Sequence, residues 1–217
     1  MEVLNKRQQE RLKIEKEKQD LVRRSRLTEI LGIRPKARTT EQENELYELL
    51  LDFNLFQIVA TANFELLRIL AREIYMECLL PDSVVIKQDA MPENCYIISQ
   101  GRCKVFVRFK IKKFQKTYVK TKMMCILGNR DHFGELSLTF DSKRTATVET
   151  MESCYVIVIP RQAFEQCVRE PYKKKLHDNI SFFKILSCFS EMDQNTLHIL
   201  ASKTTQQNVQ SNTLIIR

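Results

Sequence analysis

The fifteen residues FGELSLTFDSKRTAT, Phe133–Thr147, put one carboxylate, Glu135, directly after a glycine and one arginine, Arg144, nine positions later. ELSL reads as a single helical turn, whose N-terminus presents N–H groups and a partial positive charge to an anion. Gly134 lets the backbone approach a ligand with no Cβ in the way. Arg144, across a turn, offers a forked, charge-assisted contact to the same anion. That anion would repel Glu135. The carboxylate makes sense if the ligand also carries hydroxyl donors, because a carboxylate only accepts hydrogen bonds. A small hydroxylated anion of nucleotide type fits all three residues; a structural Glu135–Arg144 ion pair is the other reading of the two charges.

The flanks say what holds this turn. VVIKQ, CYIIS, CKVFVRF, TYVKTKMMCIL, TATVETM and CYVIVIP are short β-branched or aromatic runs, each bounded by turn residues. Six such runs within about eighty residues argue an antiparallel β-roll or sandwich, with the turn inserted between strands. Upstream, from Glu45 to Met76, Leu46, Leu49, Leu50, Phe53, Leu66, Leu67, Ile69, Leu70 and Ile74 recur at helical spacing, so two or more packed helices are expected. Glu2 to about Arg26 reads as a charge-mixed helix with a thin apolar stripe of Leu4, Leu12, Ile14 and Leu21, broken by Gly32 and Pro35. Pro160 ends the last strand and opens a helix, PRQAFEQCV, with a further helix from Pro171. The fold class is therefore α+β, a jelly-roll-like barrel flanked by N- and C-terminal helices.

Composition excludes several classes. The 217 residues are 43% apolar and 29% charged, ordinary for a globular protein, and no apolar run reaches the length of a membrane span. The N-terminus is too charged for a secretory signal. Seven cysteines with no CxxC pair fit reduced thiols in a cytoplasmic protein, and with three scattered histidines, none near a cysteine pair, no metal site is expected. Much of the net charge of +8 lies in the first forty residues and in KVFVRFKIKKFQKTYVKTK, Lys104–Lys122, which contains no acid. Val105, Val107, Phe109 and Ile111 alternate there with basic residues. An anionic partner is one reading. The alternation of a strand with one wet face explains the pattern unaided, so no nucleic acid is expected as a partner.

ILAREIYMECLLPDSVVIK (Ile69–Lys87) and ILASKTTQQNVQSNTLIIR (Ile199–Arg217) share helix end, gap and strand at one constant offset. A fixed offset indicates a duplicated unit. The expected organisation is a charged helix and linker over residues 1–44, a complete domain over 45–182, and the lead-in and first strands of a truncated second domain over 183–217.

The opening stretch resembles the phosphate-binding cassette of the cyclic nucleotide-binding domains of kinases, exchange factors, channels and bacterial regulators. Phe133, Gly134, Glu135, Leu136 and Leu138, then Arg144, Thr145, Ala146, Thr147 and Val148, match its pattern, with Ser137 in place of the usual alanine. The resemblance covers about Leu46 to Phe183. It implies that Glu135 holds the ribose 2′-hydroxyl, that Arg144 holds the cyclic phosphate, and that the N–H groups of Leu136, Ser137 and Ala146 complete the cradle. The family usually has glycine where Asp82 and Asp89 stand, and proline is common at Lys143. Tyr172 and Phe182 are candidates for the lid over the purine. Thr145, where cAMP-selective kinase sites have alanine and cGMP-dependent ones threonine, points to cGMP.

The resemblance thus implies a non-enzymatic module that binds cAMP or cGMP as its ligand, needs no cofactor or metal, and relays occupancy to a protein partner through its C-terminal helices. A degenerate roll serving as a ligand-free scaffold is the alternative. A third reading, a kinase-blocking pseudosubstrate at RRSRL (Arg23–Leu27), lacks the expected spacing.

Overall fold

A computed structural model describes residues 2–113, 116–189 and 191–204. Two compact units emerge, Met1–Pro171 and Tyr172–Arg217.

The first unit opens with α1 (Glu2–Gly32), then a 3₁₀ turn at Pro35–Ala37, α2 (Thr40–Leu50), α3 (Asn54–Ala62) and α4 (Phe64–Ala71). Each start has a local cause. Thr39 and Gln42 form a reciprocal capping box on α2, and the Asn63 side chain accepts from Glu65 N at the head of α4. The expected stripe of α1 fails where it can be seen: Leu12, Ile14 and Leu21 are exposed, and the buried residues are Leu27, Ile30 and Leu31 near its C-terminus. Among the described residues, the ion pairs that α1 makes with the rest of the unit also lie in its second half. Arg23 donates to Asp52 (2.7 Å) and Arg26 to Glu45 (2.8 Å), so two arginines of RRSRL fasten α1 to the rest of the unit.

Helical spacing overran its true limit. The structure ends α4 at Ala71 and starts β1 (Tyr75–Leu79) where a helix to Met76 was expected. Residues 75–79 instead pair antiparallel with β8, from Tyr75↔Val158 to Leu79↔Cys154, and pairing overrides local periodicity. There follow β2 (Val84–Ile86), β3 (Asn94–Gln100), β4 (Cys103–Lys113), β5 (Lys116–Leu127), β6 (His132–Phe133), α5 (Glu135–Thr139), β7 (Thr147–Thr150) and β8 (Cys154–Pro160). The six expected strands are all present; β1 and the two-residue β6 were not anticipated.

The strands form two four-stranded antiparallel sheets, β1-β8-β3-β6 and β2-β7-β4-β5. Between them lies a core of Ile86, Ile98, Cys103, Leu127, Phe133, Val148, Cys154, Val156 and Val158. β8 is buried on both faces, with Ile157 and Ile159 as inaccessible as Val156 and Val158, which is why CYVIVIP reads as an unbroken apolar run. Asp82 (φ +57°) and Asp89 (φ +70°) take up the left-handed backbone that glycine serves elsewhere, and aspartate tolerates it.

Pro160 leads into α6 (Arg161–Ala163), a π-helical turn (Phe164–Val168) and α7 (Arg169–Ile185). The expected break at Pro171 does not occur, because α7 runs through it. Proline removes one N–H donor from a helix, and the widened turn just before it relieves the mismatch.

Within the second unit, α8 (Gln194–Lys203) repeats α4 at the same offset. Asp193 caps α8 as Asn63 caps α4, and buried Leu197 and Ala201 correspond to buried Leu67 and Ala71. The Asn179 side chain donates to Ala201 O at 3.0 Å. The strand of the expected second copy lies outside the described residues. No helix among those described is long and apolar enough to cross a membrane.

Candidate functional site

The segment joining β6 to β7 brings the candidate residues together around one glycine. Gly134 precedes α5 with φ +87°. A Cβ placed on it would lie 2.7 Å from Arg144 Nη1, 2.9 Å from Ile86 Cδ1 and 3.3 Å from Asn94 O. Glycine is thus required twice, once by backbone conformation and once by space.

Arg144 is only 5% exposed. Its Nη1 donates to Gly134 O at 2.7 Å and its Nη2 to Asn94 O. The main chain is held as firmly: Arg144 N donates to Ala90 O (2.9 Å) and Asp89 N donates to Arg144 O (2.8 Å). That exchange fastens the arginine to the turn following β2, which the left-handed Asp89 shapes.

Glu135 is equally buried, at 5% exposure. Burial pushes the Arg144 guanidinium pKa down, while Cys95, Tyr96, Glu135 and Glu93 support its charge. The same burial, followed by the field of Glu135, drives the Cys95 thiol well above its ordinary range. An acid and a base withdrawn together from water form a site that is costly to leave half-satisfied.

The remaining candidates follow from α5 and its return. Leu136 is half-buried and Ser137 buried. Ser137 Oγ donates to Lys143 O (3.3 Å), Ser142 N donates to Ser137 O (3.0 Å), and Thr139 Oγ1 donates to Glu135 O (2.8 Å). The N–H groups at the start of a helix have no acceptor within it, which is the property the cradle requires of Leu136 and Ser137. Thr145 is exposed beside Arg144, and half-buried Ala146 leads into β7. Of the two lid candidates, Tyr172 is buried and Phe182 exposed, its ring edge-on to Phe183 at 5.9 Å.

Sequence reading missed Asn94, Ala90 and Ile86. Two of them act through a backbone carbonyl and one through van der Waals contact, neither of which leaves a side-chain signature. A cleft of about 560 Å³ bordered by Lys87, Phe106, Arg108, Thr121 and Glu149 meets the candidate segment at Thr147. Glu149 alternates along its strand with the core residue Val148, which puts the cleft on the outer face of the second sheet.

Arginines of α6 and α7 tie the cassette to the helix that follows it. Arg161 pairs with Asp141, just beyond α5, and its Nη1 reaches Pro92 O at 3.2 Å. Arg169 donates to Leu138 O and to Glu165, both at 2.9 Å.

Comparison with known proteins gives a consistent result. Residues 76–170 match the family model of the cyclic nucleotide-binding domain. A cGMP-dependent protein kinase of Drosophila melanogaster, isozyme 2, is 24% identical over 84% of the chain and 16% of its own length. A second set of isozyme 2 forms is 30% identical over 39% of the chain and 9% of theirs. Among solved structures, the cAMP complex of the Toxoplasma gondii protein kinase A regulatory domain superposes with a TM-score of 0.54 at 20% identity, covering 76% of this chain and 59% of that one. The sensor domain of the transcriptional regulator DNR from Pseudomonas aeruginosa gives 0.52 at 15% identity, covering 71% and 97%. At these identities the superpositions establish a shared fold, and the chain spans a small part of the curated relatives.

Proposed function

We propose that the chain, whose residues 76–170 match the family model of the cyclic nucleotide-binding domain, binds a cyclic nucleotide, cGMP at least as well as cAMP. Occupancy is relayed to a protein partner through the C-terminal helices. The observation that carries this reading is the enclosure of Glu135 and Arg144, acid and base at 5% exposure each, around a glycine with no room for a Cβ. A guanidinium has five N–H donors, of which the carbonyls of Gly134 and Asn94 take one each, so an anionic oxygen can be added without dismantling the clamp. Glu135, an acceptor, suits a ribose hydroxyl.

The relay has a physical route. An anion drawn toward α5 moves the carbonyl of Leu138 and the carboxylate of Asp141, and these are held by Arg169 and Arg161. Those arginines flank the π-helical turn, a place where a helix re-registers at little cost. Residues from Phe183 onward, in which α8 repeats α4, are the beginning of a second domain of the same kind.

Calorimetric titration with cAMP and cGMP tests the binding. Arg144→Ala is expected to weaken it by about 2–4 kcal/mol, and Arg144→Lys to recover only part, since one ammonium cannot reproduce the fork. Equal affinity in all three proteins would end the phosphate assignment.

A further inference from the structure

Lys104–Lys122 contains eight basic residues and no acidic one, while the whole chain has a net charge of +8. The rest of the protein is therefore neutral, its 27 acidic residues balanced by as many basic ones. That balance is a sum over regions, residues 1–40 having twelve basic and six acidic residues, and what distinguishes the hairpin is that its eight bases have no acid among them.

The structure gives that hairpin a distinct form. β7 pairs with β4 only over Cys103–Phe106, and β5 is the edge of its sheet. Beyond Phe106 the two strands continue as a ribbon without a third strand among the described residues, paired from Val107↔Lys122 to Lys113↔Lys116, with the Gln88 side chain bonded to both backbone groups of Arg108 at the root. At 3.3–3.4 Å per residue the ribbon projects about 20 Å from the roll. Residues directly opposite share a face. One face carries Val107, Phe109, Ile111 and Tyr118 with Lys120 and Lys122; the other carries Arg108, Lys110 and Val119.

Charges at its root are already engaged. Lys104 pairs with Glu149 at 2.7 Å and Arg108 with Asp89 at 3.3 Å. Among the described residues no salt bridge reaches Lys110, Lys120 or Lys122, so the uncompensated charge lies out on the ribbon. Large apolar side chains stand beside it: Tyr118 is 50% exposed and Val119 62%, and Met123 and Met124 are exposed on β5 toward the roll.

We propose that the β4–β5 ribbon docks the protein on an anionic lipid surface. Positive charge selects the sign of the partner. The exposed apolar residues select its kind: Val119, Met123 and Met124 are aliphatic or thioether chains, which enter the acyl boundary readily, and the exposed rings of Tyr118 and Phe109 suit the boundary between headgroups and acyl chains. Lysines bordering such residues lay their methylenes along apolar surface while the ammonium stays at headgroup level. A projecting ribbon also lets the contact form without bringing the acidic residues of the roll to the membrane. None of these residues belongs to the cassette, so docking is independent of nucleotide binding.

The test uses the full chain in co-sedimentation with vesicles of phosphatidylcholine alone and with about 30% phosphatidylserine added. Binding is expected only to the anionic vesicles, with a loss on raising salt to about 0.5 M. Each basic residue near such a surface contributes about a fivefold factor, so Lys120→Ala with Lys122→Ala should weaken binding roughly 25-fold. Tyr118→Ser with Val119→Ser, at unchanged charge, should weaken it by about tenfold or more. The side chains replaced are exposed, and an unchanged thermal melt is the control that each variant folds. Failure to bind anionic vesicles overturns the proposal. So does lysine-variant binding equal to wild type, or a serine variant that keeps full affinity while the chain binds single-stranded DNA as tightly as vesicles.

Discussion

Replacing Gly134 by alanine separates the two demands that the structure makes on this position. The first is conformational: at φ +87° an L-residue with a Cβ is disfavoured by about 1–2 kcal/mol. The second is steric, a new carbon 2.7 Å from Arg144 Nη1 and 2.9 Å from Ile86 Cδ1. Both atoms are ends of side chains, so the clash is relieved by moving them, and the guanidinium gives up its bond to Gly134 O. Stability should therefore fall by little more than the backbone term, a drop in Tm of about 3–8 °C for a domain of this size. Nucleotide affinity should fall further, because a guanidinium displaced by about 1 Å no longer presents its fork to the phosphate; a loss of tenfold to a hundredfold is expected, comparable to removing a charge-assisted hydrogen bond. The assay pairs calorimetric binding of cGMP with thermal denaturation of the same samples. Unchanged affinity alongside the predicted loss of Tm would show that Arg144 does not need its present position to bind, and would refute the reasoning.

Three further outcomes follow from other parts of the site. A 2′-deoxy cyclic nucleotide should bind wild type more weakly than the parent ligand, and Glu135→Ala should abolish most of that difference; an equal penalty in both proteins removes Glu135 from the sugar. Thr145→Ala should weaken cGMP by a few-fold to roughly tenfold and leave cAMP nearly unchanged, the worth of one neutral hydrogen bond to the guanine amino group. Cys95, pushed well up by burial, and Cys103, pushed up to about 12 by burial and the neighbouring Cys154, hold almost no thiolate at neutral pH. Mass spectrometry after brief alkylation should thus find exposed Cys78, Cys125 and Cys188 modified, with Cys95 and Cys103 reacting only after denaturation.

Much of the architecture was legible because it rests on patterns that local chemistry enforces. Strands β2, β3, β4, β5, β7 and β8 announce themselves by β-branched residues between turn formers, and the buried turn from Gly134 to Arg144 by an acid, a glycine and an arginine at fixed spacing. Asp82 and Asp89 were readable as turn residues because the left-handed backbone admits few side chains. α4 was not delimited in this way: Ile74 and Tyr75 continue a helical rhythm, and only pairing with β8 turns Tyr75–Leu79 into a strand. The π-helical turn ahead of Pro171 was equally hidden, since its cause is a missing donor within a helix that packing keeps continuous.

Local composition and periodicity, which act over a few neighbouring residues, were enough to read the roll and the acid-free basic stretch between Lys104 and Lys122. Tertiary structure decided what those features touch. It set Asn94 and Gly134 carbonyls against Arg144, separated by fifty and ten residues along the chain. It buried the C-terminal end of α1 and left Leu12, Ile14 and Leu21 exposed. It also carried the basic strands beyond the end of β7 as a two-stranded ribbon. Each of these depends on backbone groups or strand ends meeting across the fold. A peptide carbonyl is the same at every position, so its role is fixed only when the chain closes around it.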